Sequence, residues 1–270
     1  MDEAKRAVLD LGVFGSVEIE PQVQAATPAP SGKLRVPILV KLEKAKLRSV
    51  RLGGGLQGDA LKSDFHLTAG WEDQSFLGDM RKLEVEVMPG VVVYPTRFPT
   101  FEAPERLLPQ GRFRSELRQP GFISSRTSLV LKGQVAAYPV LLSKDQDPAA
   151  PIVGYFDYRA SVAVERSYRR LYGSLSQNVQ LNVPFVYKGL KDPDLDTVVV
   201  SYPALYTTLD LRNDAIHPHK GIFVANDVEI AGIGGDARDI KLQPEVRAYV
   251  PVTKRVTLAA RGSIGLLFAQ

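Results

Sequence analysis

Few residues in this chain could carry chemistry, and their spacing narrows the choice further. Three histidines and no cysteine are present, so thiol and thiolate-metal chemistry are excluded. His217-Pro218-His219 sets two imidazoles two residues apart in a polar stretch, a possible start for a metal site. Zinc draws its ligands from a cluster of three or four, and no third His, Asp or Glu groups with these two, so an exposed turn is the simpler reading. His66 would need a partner to act as a catalytic dyad, and none stands out in the sequence. Asp210, Arg212, Asn213 and Asp214 could form an acid cluster; more simply, they cap a turn and pair charges. Gly53-Gly54-Gly55 and Gly232-Ile233-Gly234-Gly235 invite a phosphate-loop reading. Neither is followed by Lys-Ser/Thr or by a helical pattern, so the amides of a helix N-terminus are missing. No enzyme activity, cofactor or metal is expected, and 34 basic against 30 acidic residues, mixed in sign along the chain, do not suggest a nucleic-acid partner.

The elements that hold these residues read almost entirely as strands. No window of about 18 apolar residues occurs, so no transmembrane helix is expected, and the amino terminus lacks a signal peptide's apolar stretch. Ala4, Ala7, Val8 and Leu11 fall at helical spacing and Gly12 follows as a stop. An alternating strand over 13–20, a Pro/Ala/Ser-rich loop over 21–32 and a second strand over 34–40 come next. From Leu47 onward the hydropathy period is two, with eleven strands expected near 47–57, 64–74, 81–94, 112–119, 126–138, 153–168, 172–186, 197–211, 221–231, 239–250 and 255–268. In the clearest, Leu175, Val179, Leu181 and Val183 share one face while Ser174, Ser176, Asn178, Gln180 and Asn182 share the other.

Connections alternate between short turns and longer loops rich in Pro, Asp and Lys. An up-and-down meander would gather the short ones at one end, as in outer-membrane barrels; the 212–220 connection is longer than that rule predicts. Strands of ten to fifteen residues suit tilted membrane spans better than a sandwich, where about 5 or 6 is usual. Trp71, Tyr94, Phe122, Tyr138, Tyr155, Phe185, Tyr187, Tyr202, Tyr249 and Phe268 lie near strand ends, where girdle aromatics would sit. Arg51, Glu84, Glu86, Lys132, Gln134, Arg159, Glu165, Lys241, Glu245, Arg247 and Arg261 lie on the more polar faces. In a membrane barrel these would line the lumen; in a soluble all-β sandwich or lipocalin-like barrel they would be the solvated surface.

Several short stretches resemble the outer-membrane protein insertase family, the BamA/TamA-like bacterial surface antigen barrels. Leu11-Gly12-Val13-Phe14-Gly15-Ser16-Val17 resembles the helix-to-strand passage of a POTRA domain. Gly70-Trp71-Glu72 with Phe76-Leu77-Gly78, Arg118-Gln119-Pro120 with Phe122, and Asp210, Arg212, Asn213 and Asp214 with Pro218 and Gly221 resemble barrel turns, the last most specifically. The resemblance implies an all-β, antiparallel up-and-down transmembrane barrel, incomplete here, over 46–270 (strands 1 to 11), preceded over 1–45 by the C-terminal half of an α+β POTRA unit.

It further implies a non-enzymatic role in the outer membrane of a Gram-negative-type cell, with the POTRA part in the periplasm. Nascent outer-membrane proteins would pair with the edge strand Ser49, Val50, Arg51, Leu52, Gly53, Gly54, Gly55 and Leu56. The lipid bilayer, and accessory lipoproteins or an inner-membrane protein, are the other implied partners. The family's barrel has sixteen strands and a Val-Arg-Gly-Phe/Tyr loop after the eleventh, which this sequence lacks, so an internal segment or a truncated product is expected. A passive pore and a soluble all-β binding module are the competing readings.

Overall fold

The computed structural model describes residues 5, 8–9, 13–23, 27–28, 34–59, 62–78, 80–96, 103–141, 151–190, 192–253 and 255–269. Most of the helix expected over 4–11 lies outside the described residues, although Lys5, Val8 and Leu9 are helical. Four short strands follow: β1 (Phe14–Pro21), β2 (Thr27–Pro28), β3 (Leu34–Arg35) and β4 (Ile38–Lys44). β1 pairs antiparallel with β4, and β2 with β3. The single strand expected over 34–40 is split at Pro37, which has no N–H to give a ladder; its carbonyl instead accepts from the Gln22 N–H at 2.9 Å. Lys41 of β4 lies 3.3 Å from Glu18 and 3.2 Å from Glu20 of β1, and hydrogen bonds to Glu20 and then Glu18 raise its pKa.

One large antiparallel sheet takes up the rest. Its strands are β5 (Arg48–Gly58), β6 (Ser63–Asp73), β7 (Lys82–Tyr94), β8 (Arg106–Pro120), β9 (Thr127–Pro139), β10 (Ile152–Tyr168), β11 (Leu171–Lys188), β12 (Val198–Asp210), β13 (Gly221–Ala231), β14 (Asp239–Pro251), β15 (Thr257–Ser263) and β16 (Leu266–Ala269). Each pairs with the next in sequence from β5 to β15. β16 also pairs with β14, and Glu245↔Ser263 and Leu242↔Leu266 belong to one register. The two are therefore one strand, interrupted where it passes Pro244, whose carbonyl still accepts from Ile264 N–H at 3.2 Å. The twelve strands thus trace the eleven that alternation predicts. β8 begins at Arg106, ahead of the expected 112, because Pro109 and Gly111 masked its start in the sequence.

The two faces of this sheet differ in kind. Leu52, Leu67 and Leu175 stand on one face, 81%, 66% and 60% exposed, together with Phe113, Val135, Tyr158 and Val162. The buried apolar cluster is small: Val92, Leu108 and Ile152, with Leu141 and Tyr187 against it. Among the described residues no second layer covers the apolar face. Soluble monomers rarely expose contiguous apolar patches beyond a few hundred Å², and a sandwich would have buried this face in its core. It is the arrangement expected of a wall facing lipid.

Strand parity corrects the expected aromatic girdle. Tyr138 and Tyr155 are cross-strand partners on the polar face, Tyr202 is level with Asn178 on that face, and Tyr249 shares parity with Arg247. Tyr94 is buried beside the Val92 cluster, 3% exposed. Trp71, Phe185 and Phe268 keep apolar-face parity, joined by Phe65, Phe113, Phe156, Tyr158 and Tyr168. Proximity to a strand end does not fix a face; the count of residues from a known neighbour does.

Candidate functional site

The edge strand β5 is built on one side only. Its ladder to β6 runs without a register shift from Arg48↔Asp73 to Gly58↔Ser63, and among the described residues no strand pairs with its other edge. Val50, Leu52 and Leu56 project exposed on the apolar face. Ser49, Arg51, Gly53 and Gly55 alternate with them on the polar face, where Arg51 is hydrogen-bonded to Glu84. Arg48 holds Asp73 at 2.9 Å at the strand's start.

The three glycines of β5 do not act alike. A Cβ on Gly53 would meet open space, and one on Gly54 only ordinary contact with Leu67 at 3.4 Å, whereas one on Gly55 would overlap the His66 ring. His66 pairs across the sheet with Gly55 on one side and Gly90 on the other. Its Nδ1 lies 3.0 Å from Asp64 Oδ1. Sequence reading found no partner for His66; Asp64 is two residues away and therefore on the same face of the strand, the signal that period-two counting carries. Among the described residues no group of three or more His, Asp or Glu gathers as a metal set.

The polar face is laced by ion pairs within strands and between them. Arg118 of β8 reaches Glu165 of β10 at 2.5 Å and Glu116 at 3.3 Å, while Lys132 of β9 lies 3.7 Å from Glu116. Arg112 pairs with Glu86 at 3.4 Å, Arg159 with the buried Asp157 at 2.8 Å, and Lys241 with Glu229 at 3.0 Å. Glu245 accepts from Arg247 and, at 2.9 Å, from Arg261. Turning any of these charges toward lipid would cost about 2–4 kcal/mol near the midplane, so the pairing fixes which face is the interior.

The connection from β12 to β13 is a clamped turn. Asp210 accepts from Arg212 Nε at 2.9 Å and Nη2 at 2.7 Å. Asn213 Oδ1 accepts the His219 and Lys220 N–H groups at 3.0 and 2.8 Å. Asp214 Oδ1 accepts those of Ile216 and His217 at 2.7 and 2.8 Å, and these backbone bonds hold its carboxyl below the usual carboxylate range. The Asp210 carboxylate in turn keeps the Arg212 guanidinium more firmly protonated. Arg212 and Arg247 both stand about 5 Å from the Phe223 ring, and His219 Nδ1 lies 3.1 Å from Thr257 Oγ1 of β15. Pro218 leads out of the turn. Gly221 closes it at φ 115°, where a Cβ would overlap Leu211.

At the opposite end the β12–β13 ladder stops early, running only from Asp210↔Phe223 to Ala204↔Glu229. Beyond it, Pro203 has no N–H to leave unpaired, and the 232–238 hairpin folds over the exposed stretch of β12. Asp236 accepts from Val199 N–H and gives its own N–H to Val199 O, both at 2.7 Å. Gly235 lies so close to Val199 and Ser201 that any Cβ would clash.

Comparison with known proteins identifies this architecture. Among solved structures, the crystal structure of BamA from Haemophilus ducreyi lacking POTRA domains 1–3 matches with a TM-score of 0.63 at 13% identity, over 100% of this chain and 49% of that one. The likeness is one of fold, and the chain spans about half the length of that structure. A comparison with curated proteins finds no match. Residues 118–270, more than half of the chain and including the clamped turn, match the Omp85 superfamily domain. An antiparallel meander with an apolar outer face, an ion-paired inner face and this match agree: the chain belongs to the Omp85 superfamily of outer-membrane β-barrel proteins.

Proposed function

We propose that this segment assists the assembly of β-barrel proteins in a Gram-negative-type outer membrane, by strand addition at β5. The observation that carries the proposal is the free edge of β5: an ordered strand, fully paired to β6, whose other row of N–H and C=O groups has no strand among the described residues. Such an edge templates any extended chain. Backbone pairing needs no particular side chain and no catalytic step. Gly53 and Gly54 leave the edge thinly packed, which favours parting and re-pairing. Nascent outer-membrane proteins are the proposed clients, and accessory lipoproteins or an inner-membrane protein the proposed helpers. Residues 1–45 are proposed as the second half of a POTRA unit on the periplasmic side.

The test is site-specific crosslinking. Single cysteines at positions 50 to 56 of β5 should capture a cysteine-bearing strand from an outer-membrane protein in one antiparallel register, with alternate positions reacting. The same cysteines on β10 should not. Equal capture by β5 and β10, or capture without register, would sink the proposal.

A further inference from the structure

The turns at the end of the sheet where β5 begins carry a pattern that strand pairing does not use. Leu77 and Ile123 sit at φ 53° and 67°, in the left-handed region where glycine or asparagine is the ordinary choice. Their side chains are 78% and 86% exposed, and Ile216, at the tip of the clamped turn, is 82% exposed. Nothing inside the fold rewards an aliphatic residue at these places. Charge follows the same division. Among the described residues, the turns between β6 and β7, β8 and β9, β10 and β11, β12 and β13, and β14 and β15 hold seven Lys and Arg against one Asp, whereas the connections at the other end hold two against six Asp and Glu.

Depth is readable from the register. On the apolar face, Leu117 pairs with Leu131, and the next row holds Gln119, Leu129 and Val164. The row after that is Thr127 and Arg166, then the turns begin. The apolar band therefore ends two rows before Tyr168, whose ring has the Arg126 and Arg169 guanidinium carbons at 5.3 and 5.4 Å. A tyrosine flanked by arginines at the margin of an apolar band suits the headgroup layer, where the ring spans the boundary and the cations reach phosphate.

We propose that this rim is a docking surface for anionic phospholipid headgroups, with Leu77, Ile123 and Ile216 dipping toward the acyl boundary and Arg126 and Arg169 on the phosphates. The proposal rests on the membrane reading above. An acidic protein would satisfy the charge but not the placement of the rim beside the apolar band.

Ile123→Trp in a Trp71→Phe background leaves one tryptophan at a turn tip. The full chain is refolded into vesicles of three parts phosphatidylcholine to one part phosphatidylglycerol, with bromine on either lipid. Emission should shift to the blue, and brominated phosphatidylglycerol should quench about threefold more strongly than brominated phosphatidylcholine at equal mole fraction. High salt, or Arg126→Gln with Arg169→Gln, should abolish the difference. Equal quenching, or emission typical of water, overturns the proposal. So does a blue shift appearing only when soluble polyglutamate is added, which would assign the rim to an acidic protein. If the variant does not refold, native Trp71, on the apolar face at the same end, reads the same two arms. A chain that never enters the vesicles overturns both this inference and the membrane reading; one that enters without lipid preference overturns this inference alone.

Discussion

Gly55 of β5 lies opposite His66 of β6, and a Cβ on the glycine would stand 2.7 Å from the imidazole Cε1. The missing side chain is a space for the ring, which is thereby kept against Asp64 on the polar face. Gly55→Ala must push His66 off that hydrogen bond, at an expected cost of about 1–2 kcal/mol. Gly53→Ala, with open space around its Cβ, should cost almost nothing. Adding His66→Ala to Gly55→Ala should recover most of the loss, so a double-mutant cycle in urea unfolding reads the contact directly. Additive losses would show that the glycine serves backbone freedom instead.

The face assignment has a sharper check in two neighbours on β10. Val162 is 51% exposed on the apolar face, and Ser161 points to the ion-paired face beside it. Val162→Lys should cost about 2–4 kcal/mol when the protein is refolded into bilayers, because the ammonium would be held in hydrocarbon. Ser161→Lys should change stability by less than about 1 kcal/mol. Equal effects in vesicle-refolding titrations would mean that the apolar face does not meet lipid.

Gly221 of the β12–β13 turn and Gly78 of the β6–β7 turn offer a contrast in strain. Both have positive φ, 115° and 78°, but only at Gly221 would a Cβ overlap its neighbours, and Gly78 has open space. Gly78→Ala should cost about 1 kcal/mol for the backbone alone. Gly221→Ala should cost about 3 kcal/mol, adding overpacking to strain, and thermal unfolding of the two variants should rank them in that order.

Acid should loosen the β12–β13 turn. Asp214 has its carboxyl held below the ordinary value by the His217 and Ile216 N–H groups, so its contribution to turn stability is present above the unfolded carboxylate range of about 4. It is lost as pH falls through the lower folded value. Relative to the intrinsic exchange rate at each pH, the protection of the Ile216 and His217 amides should fall over that acid window and stay nearly constant across it in Asp214→Asn. An unchanged acid step in the variant would place the titrating group elsewhere.

The meander itself was legible because each strand carries its own record of which side is wet. Leu175, Val179 and Leu181 against Ser176, Asn178 and Gln180 settle a face without any knowledge of the neighbours. Interruptions were less legible. Pro109 reads as a breaker although β8 continues through it, and Pro244 breaks its partner strand at Ile264 rather than its own. The clamped turn announced itself through Asp210, Arg212, Asn213 and Asp214, whose short side chains bond locally. Asp236 did not, because its partner Val199 is far away in sequence and the bond is to backbone, which leaves no mark on residue type. The tyrosines at strand ends misled for a related reason: distance to an end is easily read, but the face requires an unbroken count.

Once β15 and β16 are taken together, the β12–β13 ladder is the shortest in the sheet, and this has a mechanical meaning. Pulled sideways, the wall is a row of zippers in series, and the first to run is the one with the fewest teeth. Rupture should therefore begin between β12 and β13, far from the β5 edge, with Asp236 as the tether at its open end. Single-molecule pulling across these strands should give a lower first rupture force in Asp236→Ala than in the native chain. Pro203, on the freshly parted edge, would offer a passing strand one donor fewer, so a tear there would close on itself more readily than it would capture a stranger.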